Sequence, residues 1–133
     1  MILVDTSVLI DWLKGKENLA TLKFDKIVKT DSPFGISILS YQELLQGAKN
    51  NLEFEKLRSY FGTQKIFYLP DDLSFFDQAS EMYRILRQSG KTIRSTIDVL
   101  IAMTSIHYNL ALLHNDKDFQ IIASEFEKLI LFD

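Results

Sequence analysis

The stretch MILVDTSVLIDWLKG, residues 1–15, places a single carboxylate between two apolar segments. Residues 2–4 form a short β-type run that stops at Asp5, and the residues from Ser7 onward follow a helical pattern. A strand that leads directly into a helix is typical of one repeating unit of a parallel sheet. The acid at this junction is therefore either a helix N-cap or part of a site at the edge of that sheet.

The same alternation continues along the chain. Further β-type runs are predicted at residues 35–39, 65–69, 111–114 and 129–132. Helices are predicted at residues 7–14, 17–29, 40–49, 52–61, 72–89, 97–108 and 117–126. This order predicts an α/β fold with a mainly parallel central sheet covered on both faces. Because the 133 residues contain no linker-like, repeated or low-complexity segment, residues 1–133 are expected to form one domain.

Composition restricts the chemistry. The absence of cysteine excludes disulfides, thiolate catalysis and cysteine-ligated metal sites, and the presence of only two histidines argues against a zinc site. No apolar stretch is long enough for a membrane span and the N-terminus does not resemble a signal peptide, so a cytoplasmic location is expected. The net charge of -3 does not indicate nucleic-acid binding, although the 15 lysines and arginines can still line one groove.

Acidic residues recur near the predicted helix starts, namely Asp5, Glu43, Asp98 and Asp116, with Asp118 close behind. Each acid alone has a simple structural explanation. Ser40 to Glu43 and Ser95 to Asp98 fit the capping-box pattern, and Asp5 or Asn115 would serve as an N-cap.

Together the acids indicate a metal site. Strand-to-helix junctions of a parallel sheet share the carboxyl edge of the sheet, so several carboxylates would meet in one cleft. Clustered carboxylates raise one another's pKa unless a cation lies among them, and an all-oxygen site prefers Mg²⁺ or Mn²⁺. Such ions support hydrolysis of a phosphodiester, that is, nuclease chemistry. Thr6 and Ser7 would lie beside the ion as hydrogen-bonding groups, or cap the helix.

Four segments carry a resemblance to a known family: VDTSVLIDWLKG, SYQELLQGA around Glu43, IDVLIAM at Asp98, and HNDKDF. In order and spacing they resemble the PIN-domain ribonucleases, in particular the VapC-type toxins, over nearly the whole chain. The resemblance implies a three-layer α/β/α domain that cleaves RNA with Mg²⁺ or Mn²⁺. It implies that Asp5, Glu43, Asp98 and Asp116 are the catalytic and metal-binding acids, with Asp118 as an auxiliary acid. It also implies homodimerisation and inhibition by a small antitoxin.

Other positions complete the expected site. Thr6, Ser7 and Asn115 are expected to support the acids, and Lys91 and Arg94 to contact the RNA phosphates. Asp11 is left out of the predicted site.

At the fourth junction this chain has His114 where such toxins commonly show threonine, and a structural role for His114 is favoured over metal ligation. Phe54, Leu57, Tyr60 and Phe61 have helical spacing typical of core packing, and any surplus would mark a dimer contact or an antitoxin groove over residues 40–61.

Three alternatives stay open. The first is a catalytically silent PIN-like module that binds RNA or protein, although the acid set is complete. The second is a housekeeping RNA-processing nuclease. The third is a different magnesium-dependent α/β protein, such as a haloacid-dehalogenase-type phosphatase or a receiver domain. The sequence Asp5-Thr6-Ser7 lacks the second acid that the phosphatase pattern requires, and the paired acids of a receiver are absent.

Overall fold

The computed structural model describes residues 1–133 and contains four strands and seven helices. The strands are β1 (Ile2–Val4), β2 (Phe34–Ser37), β3 (Lys65–Phe67) and β4 (Ala111–Leu113). The helices are α1 (Thr6–Leu13), α2 (Leu19–Lys29), α3 (Ile38–Gln46), α4 (Asn51–Phe61), α5 (Leu73–Gln88), α6 (Thr96–His107) and α7 (Lys117–Glu125). Every predicted helix is present, with ends within three residues of the prediction. None of these helices has the length and apolar character needed to cross a bilayer.

The four strands form one parallel sheet in the order β3-β2-β1-β4. β1 lies inside the sheet, where Ile2 is in register with Phe34 on one side and with Ala111 on the other. The chain builds outward from β1 in one direction through β2 and β3, then returns to its other side at β4. The cleft beyond the carboxyl ends of β1 and β4 is therefore the position where open parallel sheets bind ligands.

Helices cover both faces of the sheet. Leu3 and Leu112 point into an apolar cluster formed with α5, α6 and α7, whereas Val4 and Leu113 point into a second cluster formed with α1 to α4. This division follows from the two-residue period of a strand, which sends neighbouring side chains to opposite faces. The predicted α/β class and the three-layer α/β/α arrangement are confirmed.

Three strands end earlier than predicted: β3 ends at Phe67, β4 ends at Leu113, and β2 gives way directly to a helix. The run predicted over residues 35–39 ends at Ser37, and Ile38 and Leu39 already belong to α3. The reason is local, because the Ser37 hydroxyl accepts a hydrogen bond from the Leu39 amide at 3.1 Å and so caps the helix. The capping box predicted from Ser40 to Glu43 is wrong for the same reason.

The fifth predicted strand is also wrong. Residues 129–132 form no strand, and only Leu131 makes an isolated parallel bridge, to Leu112. The backbone still follows β4, since the Leu112 amide donates to Ile130 at 2.9 Å and the Phe132 amide donates to Leu112 at 2.8 Å. The alternation that predicted a strand therefore marks an extended segment, anchored by the buried Leu129.

Candidate metal centre

Asp5 begins the site directly after β1. It is the N-cap of α1, and its Oδ2 accepts hydrogen bonds from the Ser7 amide at 3.0 Å and from the Ser7 hydroxyl at 2.6 Å. Only 4% of Asp5 is exposed. Burial and, to a smaller extent, the charge of Glu43 raise its pKa from 3.8 to about 6, against the opposing effect of the Ser7 hydrogen bonds. Asp5 is thus both a cap and a member of an acidic site.

Ser7 joins the ends of β1 and β4. Its hydroxyl donates to Asp5 and accepts from the Asn115 amide at 3.0 Å. The Asn115 side chain in turn donates to Asp11 Oδ2 at 2.9 Å. Asp11, which the sequence prediction left out, therefore fixes the loop that precedes Asp116. Its position four residues after Ser7, on the same helical face, was the available signal.

Glu43 is held in place by hydroxyl groups. Thr6 Oγ1 is hydrogen-bonded to Glu43 Oε1 at 2.9 Å and to Ser40 Oγ at 2.8 Å. Thr6 and Ser40 are both buried. Thr6 therefore orients a carboxylate of another helix, and Ser40, which the sequence suggested only as a cap, belongs to the same network.

Three carboxylates converge near the starts of α6 and α7. Oxygen atoms of Asp98, Asp116 and Asp118 all lie within 4.8 Å of one another. Asp116 is the N-cap of α7, where its Oδ1 accepts from the Asp118 amide at 3.0 Å. Asp98 lies in the first turn of α6, whose N-cap is Ser95. Asp118, predicted as an auxiliary acid, is thus part of the tightest group.

Asp98 is the most perturbed of these acids. Burial, followed by the charges of Asp5, Asp116, Asp118 and Glu43, raises its pKa from 3.8 to about 7. Its carboxylate takes part in none of the side-chain hydrogen bonds or ion pairs of the structure. The negative charges of four other acids nevertheless act on it. A half-buried carboxylate without a donor or cation of its own fits an oxygen-ligated divalent ion.

A single arginine neutralises part of this charge. Arg94 Nη2 lies 3.1 Å from Asp116 Oδ1, and Arg94 Nε lies 3.2 Å from Asp118 Oδ2. These contacts raise the pKa of Arg94, with the hydrogen bond to Asp118 as the largest cause. Lys91 instead points to α7, where its Nζ lies 2.7 Å from Glu125 Oε1 and 3.0 Å from Ser124 Oγ.

His114 supports the loop before α7. Its Nδ1 accepts a hydrogen bond from the Asp116 amide at 3.1 Å, and its ring packs against Phe119. Burial lowers the pKa of His114. The hydrogen bond occupies Nδ1, so the predicted structural role fits the geometry.

The chain is similar to known proteins in sequence and in fold. The sequence model of the family described as PIN domain matches residues 2–125. The VapC ribonuclease Mb1587 of Mycobacterium bovis is 28% identical over 127 residues, which cover 92% of each chain.

Two solved structures have the same fold. The VapBC2 structure from Rickettsia felis has a TM-score of 0.74 and 20% identity, and the match covers 99% of this chain and 98% of that one. The VapBC-1 structure from Haemophilus influenzae has a TM-score of 0.69 and 21% identity, covering 100% and 98%.

Proposed function

Because the chain belongs to the PIN domain family, we propose that it is a divalent-metal-dependent endoribonuclease and the toxin of a toxin–antitoxin pair. The observation that carries the metal dependence is Asp98, a half-buried carboxylate that has no hydrogen-bond donor and lies among four other acids. The likeness to a VapC ribonuclease supports RNA as the substrate, and the likeness to VapBC complexes supports the toxin assignment.

The proposed ligands are the acids of the cleft. Asp98, Asp116 and Asp118 would hold the ion together with Asp5 and Glu43, whose charges act on Asp98. All of these donors are oxygen atoms, which favours Mg²⁺ or Mn²⁺. A divalent ion held by these acids would supply a positive charge that polarises the phosphodiester and lowers the pKa of a water molecule, which favours hydrolysis at neutral pH.

The remaining groups of the site hold the acids in position. The Ser7 hydroxyl keeps one oxygen of Asp5 fixed, and Thr6 with Ser40 does the same for Glu43. Asn115, tied to Ser7 and Asp11, holds the loop that carries Asp116. Such preorganisation means that the acids need not rearrange when charge develops on the phosphate.

RNA binding is assigned to cationic groups beside the acids. Arg94 lies at the rim of the cleft, next to where a scissile phosphate would lie, and its guanidinium suits a phosphate. Lys91 lies nearby in the same loop, so it is proposed as a second phosphate contact that would have to exchange its pairing with Glu125.

An antitoxin has a suitable surface next to the cleft. A groove of about 760 Å³ lies between α1, α3 and α4. Its apolar lining includes Trp12, Leu57 and Tyr60, and Glu43 connects it to the acidic site. The lining also includes Lys14, Lys49 and Lys56, so an apolar segment with acidic residues would fit it. The predicted antitoxin groove over residues 40–61 is therefore proposed here, with Phe61 part of the buried core.

Three further properties belong to the proposal. The exposed apolar side chains of Tyr68, Leu73 and Phe76, at and just before the start of α5, support a homodimer. Two apolar clusters share one sheet, which supports a single PIN domain over residues 1–133. The cytoplasm is the proposed location, since it holds the cellular RNA.

The test combines cleavage with growth. Purified protein is expected to cut RNA in the presence of Mg²⁺ or Mn²⁺, and cleavage is expected to stop when a chelator is added. Expression of the protein is expected to arrest bacterial growth. Asp98→Asn should abolish both effects, since it keeps the shape of the side chain but removes the charge that binds the ion. Asp77→Asn changes an exposed acid of α5 and is the matched control.

The outcomes separate the alternatives. Cleavage that persists in chelator contradicts metal dependence, and a chain that binds RNA without cutting it is a silent module. RNA cleavage without growth arrest identifies a housekeeping nuclease instead of a toxin.

A further inference from the structure

Arg94 occupies the acidic cleft from within the chain. Its guanidinium spans Asp116 and Asp118, with N···O distances of 3.1 and 3.2 Å, and its backbone amide lies 3.5 Å from Asp118 Oδ2. The side chain of Asp118 is only 2% exposed. A buried carboxylate without a cation carries a large cost in free energy, so Arg94 stabilises the acids when no metal is bound.

The arginine is held by these contacts alone. It lies in the segment between α5 and α6, outside any helix or strand, and its side chain is 66% exposed. Its side chain forms hydrogen bonds only with the two acids. The nearest basic neighbour in the loop, Lys91, is paired with Glu125 on α7 and does not compensate the cleft. Arg94 is therefore free to swing toward solvent once its attraction to the acids weakens.

From this geometry we propose that Arg94 is an internal counter-cation, which competes with the divalent ion for Asp116 and Asp118 and turns to the RNA phosphate when the ion binds. This inference rests on the proposed metal-dependent nuclease. It adds that one side chain serves two partners in succession, a carboxylate pair before metal binding and the substrate afterward.

The competition follows from charge. A guanidinium and a divalent ion bound to the same carboxylates repel each other over a few ångströms. Because coupling between two binding events is reciprocal, the ion weakens the hold of the acids on Arg94 by the same factor by which Arg94 weakens ion binding. The exposed position of Arg94 allows the released guanidinium to remain at the rim of the cleft, where it can pair with a phosphate.

The experiment measures Mn²⁺ binding without RNA. Free Mn²⁺ is followed by electron paramagnetic resonance while wild type, Arg94→Gln and Arg94→Lys are titrated. Arg94→Gln is expected to bind Mn²⁺ about three- to tenfold more tightly, whereas Arg94→Lys, which keeps the charge, should stay closer to wild type. Arg84→Gln removes an exposed arginine that pairs only with residues of α5, and it serves as the control.

Thermal unfolding provides the second measurement. In a chelator Arg94→Gln should have a lower melting temperature than wild type, because Asp118 loses its cation. Saturating Mn²⁺ should remove that difference in melting temperature. Unchanged or weaker Mn²⁺ binding by Arg94→Gln would overturn the counter-cation role while leaving the nuclease proposal intact. A wild-type protein that binds no Mn²⁺ would overturn both.

Discussion

At the scale of single residues, Asp5 combines two roles that the sequence presented as alternatives. One carboxylate oxygen caps α1 through Ser7, and the charge of Glu43 acts on the same buried group. A cap requires only one oxygen atom of the carboxylate. The structural and the chemical interpretation of a helix-start acid are therefore compatible, and a capping pattern does not count against a site.

Asp98 provides the prediction at this scale. In metal-free protein, Asp98→Asn is expected to increase the free energy of unfolding by about 1–2 kcal/mol, after allowance for solvent screening of this half-buried group. The reason is that ionised Asp98 is poorly solvated and repelled by the other acids. Urea unfolding in a chelator at about pH 8 measures the difference.

The matched variant Asp77→Asn should leave that free energy nearly unchanged, since Asp77 is exposed on α5. Destabilisation by Asp98→Asn would show that the carboxylate has a stabilising partner in the folded chain, contrary to the geometry described above.

At the scale of elements, the junction between β2 and α3 shows that a sequence pattern does not locate the exact end of a strand. Residues 35–39 are apolar or small and were predicted as one strand, but Ser37 ends the strand and begins the helix. An apolar run favours strand and buried helix alike, and the capping hydrogen bond decides between them. Because α3 begins at Ile38, Glu43 lies in its second turn, where it contacts Thr6.

Gly35 gives the prediction for this element. A Cβ at Gly35 would clash with the ring of Phe67 on β3 and lie 3.1 Å from the Lys65 carbonyl. Because Phe67 is buried, its ring cannot move without disturbing the core. Gly35→Ala is therefore expected to destabilise the protein by about 1–3 kcal/mol, as measured by chemical denaturation.

Gly47→Ala is the control for that substitution. A Cβ at Gly47 would meet no atom closer than 3.5 Å, and the backbone there has an ordinary helical conformation. Equal stability of the two alanine variants would contradict the close approach of β2 and β3.

At the scale of the whole molecule, the clustered acids link stability to pH. The pKa values of Asp5 and Asp98 rise from 3.8 to about 6 and about 7 on folding, so the folded chain holds protons that the unfolded chain releases. Stability in a chelator should therefore fall as pH rises from about 4 to about 7. The lowered pKa of His114 acts in the opposite direction below its ordinary value of 6.5, but it involves one proton against two.

Melting temperatures in chelator at about pH 5 and about pH 8 test this linkage. Wild type should melt higher at the lower pH, and Asp98→Asn should lose most of that difference because Asp5 and His114 then oppose each other. Saturating Mn²⁺ should reverse the trend, since the ion binds the ionised acids. A metal-free wild type that is more stable at about pH 8 would contradict the assigned pKa shifts.

Local signals explain what could be predicted. Helical periodicity, capping residues and short apolar runs depend on neighbours within a few positions, so they located every helix and four of the five predicted strands. The acids near the helix starts were visible for the same reason. The strand predicted at residues 129–132 is absent because a strand needs a continuous hydrogen-bonding partner, which local sequence does not describe.

The sequence by itself determined the α/β class, the parallel sheet and the set of acids at its carboxyl edge, because these depend on local pattern and on chain connectivity. Only the tertiary structure decided how the acids are held. Ser7 meets Asn115 across 108 positions, and Arg94, in the segment between α5 and α6, meets Asp116 and Asp118 at the start of α7. Such contacts depend on side-chain packing between distant segments, which no local pattern encodes. The structure thus turned an inferred cluster of carboxylates into an acidic cleft with its own arginine.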